Sequence, residues 1–288
     1  MDRKENIILV TGARGKQGGA VARELLSKGY RVRAMTRQPQ SEGALALARL
    51  NAEVAYGDFD IPSVYCTDII GKEIAAHIGE IFKLTIQAER IPSIANNVIA
   101  RKNYKGKGKI MVCAHIDAYD NTPGALDNAS GTVVLLLLAE MLKDYNKLFC
   151  IELIAFNGED HYSAGGQMDY LRRYGSEIED IILAINVDDA GYKKGKTAFS
   201  FYECKDELRQ RLLSVLNNFD GLEEGTQWYN GDHMIFVQKG RPTLAFTSEK
   251  ILELMAAVTH TEKDTPDIID VIKLVEIAEA LKDVIINS

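Results

Sequence analysis

His115, Asp117 and Asp127 stand together in KIMVCAHIDAYDNTPGALDNASG, residues 109–131. Imidazole and carboxylate groups without cysteine bind divalent metals, zinc above all, with manganese or cobalt as substitutes. The apolar run from Ile110 to Ala114 reads as a buried strand that delivers His115 and Asp117 into a loop, and Asp127 opens an apolar helix beyond it. Strand end, loop and helix start converge on one point, which is the arrangement of a site more than of a core. Glu159 and Asp160 in a GED run, Asp188 with Asp189, and His260 with Asp264 also follow apolar strands or sit in polar loops. A set this rich can hold two ions, which lie about 3.5–4 Å apart and need a shared carboxylate to offset their repulsion. Asp127, at a helix start, is the natural bridge.

The elements that must position these groups alternate. From residue 61 the chain reads as a short strand, then an amphipathic helix carrying Ile70, Ile74, Ile78 and Ile81 or Phe82, then two edge strands up to residue 103. Helices follow over 132–144, 163–174, 205–218 and 267–285, with strands over 149–156, 181–187 and 242–247 and a β-hairpin around 193–196. This alternation predicts an α/β fold, a mixed and mainly parallel sheet sandwiched by helices, with the site at the carboxyl ends of the strands.

Residues 6–60 form a separate βαβαβ reading, with strands over 7–11, 31–36 and 53–56 and helices over 17–28 and 42–50. Gly12, Gly15 and Gly18 lie between the first strand and first helix, where glycines let backbone amides approach a pyrophosphate. Arg37 is placed to meet a 2′-phosphate. This segment resembles the NmrA-like and atypical short-chain dehydrogenase families, which carry TGxxGxxG, a basic residue after the second strand and GD after the third. Here those are Gly12, Gly15, Gly18, Arg37 and Asp58. The resemblance implies a Rossmann-like half and NADP; no YxxxK pair and no substrate half follow it. Two readings stand: these residues only pack a helix on a sheet, or they bind the nucleotide.

AHIDAYDNTPGALDNASG, FNGED, NVDDAG, GDHMIF and THTEKDTPD resemble, in order, the motifs of the zinc-dependent aminopeptidase family that includes bacterial leucyl aminopeptidases and glutamate carboxypeptidase II. The resemblance implies that His115 and Asp188 hold one zinc, Asp160 and His260 the other, and that Asp127 bridges both. It implies Glu159 as the general base, with Asp117 orienting His115 and Asp264 a candidate to do the same for His260. Asp232 and His233 are the implied substrate contacts, with Tyr229 near them in sequence; Trp228, the single tryptophan, is a candidate cleft wall on residue type alone. One departure stands out, since the family usually has two glutamates in the GED position and the second here is Asp160, shorter by a methylene.

Composition sets the outer bounds. With 46% hydrophobic and 26% charged residues in a chain of 288, the protein is globular. A net charge of −7 argues against nucleic acid as a partner. The longest apolar run, residues 133–139, is too short to cross a bilayer, and the first fifteen residues show no signal pattern, so a cytoplasmic protein is expected. Cys66, Cys113, Cys150 and Cys204 are scattered and read as buried thiols. The expected organisation is a fusion of a Rossmann-like segment, residues 1–60, with a catalytic domain, residues 61–288. The expected activity is removal of amino-terminal residues from peptide substrates, with an NADP-responsive regulatory protein or an inactive chimeric scaffold as the alternative; oligomeric state is left open.

Overall fold

The computed structural model describes residues 7–10, 16–36, 38–56, 68–77, 93–161 and 164–287. The chain divides into two compact units, residues 1–89 and 90–288.

In the first unit, strands β1 (Ile7–Val10), β2 (Arg31–Thr36) and β3 (Glu53–Tyr56) pair in parallel in that order, joined through helices α1 (Lys16–Ser27) and α2 (Glu42–Arg49). In β2 the alternation is plain, because Val32, Ala34 and Thr36 are buried while Arg31 is exposed. Val10, Ala22, Val32, Ala34, Leu47 and Ala52 close a small core. The expected βαβαβ half is therefore present. Gly18 lies in α1, whereas Gly12, Gly15, Arg37 and Asp58 lie outside the described residues. So do Ile78, Ile81 and Phe82, the expected continuation of helix α3 (Asp68–Ala76).

The second unit is built on seven strands, β4 (Val98–Lys102), β5 (Lys109–His115), β6 (Cys150–Phe156), β7 (Ile181–Val187), β8 (Thr197–Tyr202), β9 (Leu222–Glu224) and β10 (Thr243–Ser248), lying in the order β4-β6-β5-β7-β10-β8-β9. The four central strands run parallel, and β4 and β8 are antiparallel to their inner neighbours. Helices α4 (Ser130–Met141), α5 (Gly165–Tyr174), α6 (Asp206–Leu216), α7 (Met234–Val237), α8 (Ile251–Ala257) and α9 (Val271–Ile286) complete it. The sheet is mixed and mainly parallel, as the alternation predicts.

Strand β5 shows why both faces are covered. All its residues are buried; Ile110, Val112 and Ala114 join one apolar cluster with α4 and α9, while Met111 and Cys113 join a second with Tyr170 of α5 and Phe236 of α7. Each large side chain buried this way contributes about 1.5–3 kcal/mol, which is why such a strand reads as an unbroken apolar run. The buried charge on this face is paired: Glu152 accepts from the Tyr170 hydroxyl at 2.7 Å and meets Arg101 and, at 3.2 Å, Lys109.

The expected hairpin around residues 193–196 does not form. Strand β10 lies between β7 and β8, parallel to the first and antiparallel to the second, and the fully buried Leu244 and Phe246 on β10 gain apolar neighbours from both. The last helix also starts later than expected, after a 3-10 turn at Pro266–Ile268, because the Asp270 carboxylate accepts the Ile272 amide at 3.0 Å and caps α9. Asp270→Ala is expected to cost about 1 kcal/mol, read as a lower denaturation midpoint. Among the described residues no helix is long and apolar enough to cross a membrane.

Candidate metal centre

The parallel strands deliver their carboxyl ends to one edge of the sheet. His115 ends β5 and is 1% exposed. Its Nδ1 donates to the Asp117 carbonyl at 2.9 Å, which turns Nε2 toward Asp127 Oδ1 at 2.9 Å and Asp188 Oδ1 at 3.3 Å. His260 turns its Nε2 to Asp160 Oδ1 at 2.8 Å and to Asp127 Oδ2 at 3.1 Å. Asp127 therefore faces one histidine with each oxygen. The ligand atoms of His115, Asp127 and Asp160 lie within 4.8 Å of one another, and so do those of Asp127, Asp188 and Asp189.

Backbone fixing explains how loops hold this geometry. Asn128, joined to Asp127 by a cis peptide, donates from Nδ2 to the Val187 carbonyl at 2.9 Å, and its Oδ1 accepts the Gly131 amide at 2.9 Å. These two bonds tie the start of α4 to the end of β7. Asp264 accepts the amides of Leu126 at 2.6 Å and Asp127 at 3.1 Å. Asp264 thus supports the backbone of Asp127 instead of the His260 ring. Asp117 meets His115 Nδ1 through its carbonyl at 2.9 Å and, more distantly, through Oδ1 at 3.8 Å, while its carboxylate also accepts the amides of Gly158 at 2.7 Å, Glu159 at 3.2 Å and Asp160 at 3.1 Å. From the other side Asn97 accepts the Asn157 amide at 3.0 Å and donates to the Gly166 carbonyl at 2.9 Å.

The charges crowd. Burial and the nearby Asp188 raise Glu159 to about 8. Burial and Asp127 raise Asp160 to about 6. Burial also acts to raise Asp127, but its bonds to His115 and His260 hold it at about 2. The bond to Asp127 lifts His260 to about 9, and in His115 the pull of Asp188 and Asp127 overcomes burial and raises the imidazole well above its ordinary value. Among the described residues, the ion-pair partners of Asp127, Asp160 and Asp188 are these two histidines alone.

The donor set fits divalent cations. Asp160 Oδ2 is buried without a hydrogen-bond partner, and an unpartnered polar atom is costly in the absence of a ligand. Two imidazoles and several carboxylates with no thiol match the preference of zinc and its oxygen- and nitrogen-binding substitutes.

Of the expected substrate contacts, Asp232 and His233 are 0% exposed. Asp232 Oδ1 accepts Gln167 Nε2 at 2.7 Å, and burial with the added push of Asp188 raises it to about 7. His233 Nε2 donates to the Trp228 carbonyl at 3.0 Å, its ring lies 4.4 Å from that of Trp228, and burial lowers it to about 4. Both are fully buried; Tyr229, 59% exposed, is the one of the three that reaches solvent. Gly231 approaches the centre closely, with φ +114, and a Cβ there would stand 2.9 Å from the Trp228 ring and 3.2 Å from Asp188 Oδ2. Gly231→Ala is expected to lower stability by about 1–3 kcal/mol and to reduce metal uptake, measured by denaturation and elemental analysis.

Sequence reasoning passed over Asn128, Asn97 and Tyr119. Asn128 has a signal in its place between Asp127 and the helix; Asn97 and Tyr119 have none, because they act across 60 residues and from within a loop.

A mixed α/β sheet with histidines and carboxylates gathered near the ends of its parallel strands defines a domain with a candidate metal centre. The sequence pattern of Peptidase family M28 matches residues 97–285, and the chain belongs to that family. The pattern of the NmrA-like family matches residues 4–83, extending past the last recognisable glycine and strand motif. Aminopeptidase YwaD of Bacillus subtilis (strain 168) is 28% identical over 173 residues, 57% of this chain and 37% of that protein. The NmrA-like family domain-containing oxidoreductase notA of Aspergillus sp. (strain MF297-2) is 56% identical over 52 residues, 18% of this chain and 15% of that protein. The chain thus spans well under two thirds of the length of these curated relatives. In fold it is similar to an aminopeptidase from Aneurinibacillus sp. strain AM-1, with a TM-score of 0.62 and 21% identity over 97% of this chain and 73% of that one. It is also similar to Porphyromonas gingivalis glutaminyl cyclase, with a TM-score of 0.55 and 22% identity over 66% of this chain and 76% of that one.

Proposed function

We propose that the chain is a dinuclear zinc aminopeptidase that hydrolyses the first peptide bond of peptide substrates. The observation that carries this reading is Asp127, whose two oxygens are divided between His115 and His260. His115 and Asp188 would hold one ion, Asp160 and His260 the other, and Asp127 both. When bound, zinc polarises a scissile carbonyl and acidifies water beside it. Glu159, on a loop fixed by Asp117, takes the proton from the attacking water and passes it to the leaving amine. Tyr229, Asp232 and His233 are the candidate substrate residues, of which Tyr229 is the exposed one. The catalytic domain of this reading spans residues 61–288, fused to a Rossmann-like segment over 1–60; an NADP site would use Gly12, Gly15, Gly18, Arg37 and Asp58.

Two measurements test the reading. Elemental analysis is expected to find about two zinc ions per chain, and release of the chromophore from an aminoacyl anilide is expected to stop when a chelator is added. The similarity to a glutaminyl cyclase favours one rival, cyclisation of amino-terminal glutamine with loss of ammonia. A chain that cyclises glutaminyl peptides but leaves aminoacyl anilides intact would overturn the peptidase reading. Binding of NADP with no hydrolysis would favour a regulatory protein with a vestigial site, and neither activity would favour an inactive scaffold.

A further inference from the structure

His260 is placed differently from His115. The ring of His115 is buried and fixed at Nδ1 by the Asp117 carbonyl. That of His260 is 47% exposed, stands on a left-handed backbone with φ +60, and among the described residues has no such hydrogen bond at Nδ1. An imidazole held only by Nε2 contacts to two carboxylates is free to rock about that axis. Tyr119 lies against its face, with ring centroids 4.6 Å apart and planes inclined by 13°. The backbone of Tyr119 is itself fixed, since its carbonyl accepts the Thr122 amide at 3.1 Å and the Thr122 hydroxyl at 2.7 Å. Two positions earlier in the same loop, Asp117 accepts the amides of residues 158–160 and so fixes the loop that carries Asp160. One loop, from the end of β5 to Gly124, thus touches the supports of both Asp160 and His260.

We infer that Tyr119 is a positioning residue for His260, and that the β5 loop, through Tyr119 and Asp117, presets the second of the two zinc positions. The inference rests on the dinuclear reading of the centre. Stacking restrains the imidazole plane without using a nitrogen, so Nε2 stays available as a ligand. The ring, not the hydroxyl, carries the role. The shorter arm of Asp160 gives the second position less reach on its other side, which makes a fixed His260 matter more there than a fixed His115 at the first.

Stepwise zinc titration of the metal-free full chain by calorimetry, against a competing chelator, tests this. In Tyr119→Ala the second ion is expected to bind about tenfold more weakly, the low end of what removing a support of a metal-ligating histidine costs. The first ion is expected to bind as in wild type, Tyr119→Phe is expected to restore both, and the metal-free melting temperature is expected to stay unchanged. Wild-type affinity for both ions in the Ala variant, equal weakening of both, or a Phe variant as weak as Ala would overturn the inference while leaving the dinuclear reading intact. A wild-type chain that takes up fewer than two ions would overturn both.

Discussion

Glu159→Gln is expected to lower kcat on an aminoacyl anilide by about 10²–10⁴-fold with zinc content and KM close to wild type. Glutamine keeps the shape of the side chain and its place on the loop, whose amides are held by Asp117, but cannot accept a proton. The environment suits the role: burial and the neighbouring Asp188 raise Glu159 to about 8, so the group exchanges protons near neutral pH instead of remaining a spent carboxylate. Bound zinc lowers this value by its positive charge, so the activity profile is expected to rise on the acid side of neutrality as Glu159 ionises, and the Gln variant is expected to lose that limb. Full activity in Glu159→Gln would remove Glu159 from the reaction. A variant that loses its zinc as well would make it a support of the centre instead of a base.

The sequence made the fold legible where burial is two-sided and the centre legible where ligands follow such strands. Residues 110–114 read as a strand because both faces of β5 are covered, and His115 was therefore placed at a strand end without any knowledge of its partners. Asp188 follows β7 in the same way. His260 is different: it lies on an irregular turn after α8, with a left-handed backbone, so residue type in a polar loop marks it as a candidate while no strand places it. The hairpin around residues 193–196 misled because a glycine–lysine turn is a local signal, whereas the insertion of β10 between β7 and β8 is decided by apolar pairing with a strand some forty residues later. Asp117 and Asp264 were read as partners of histidines because they lie near them in the chain. The carboxylates of both also accept backbone amides, a choice that depends on which loops meet in space. A motif brings Asp232 and His233 to the site, and only packing tells that both are fully buried.

The same crowding of charge is expected to make zinc a stabiliser whose effect grows with pH. At 1,000 times its Kd a ligand that binds only the folded state contributes about 4 kcal/mol, or roughly 8–16 °C in a domain of this size. In the metal-free protein His260 is raised from 6.5 to about 9, so the stability it contributes is full below pH 6.5 and lost as pH rises through about 9. Glu159 and Asp160 are raised to about 8 and about 6, and their stability too is present at low pH and lost as pH rises through those values. The metal-free melting temperature is therefore expected to fall between pH 6 and 9. Zinc acts in the opposite direction, since His115 and His260 must give up protons to become ligands, and each proton displaced raises apparent affinity by about tenfold per pH unit. The gap between zinc-loaded and chelator-treated melting temperatures is thus expected to widen steadily from pH 6 to about 9. In His260→Asn the widening should be shallower, because one of the two imidazole protons is no longer displaced. A gap that stays constant across this range would mean that the histidines are already neutral without metal, and that the contacts of Asp127 with His115 and His260 are not those of protonated imidazoles standing in for cations.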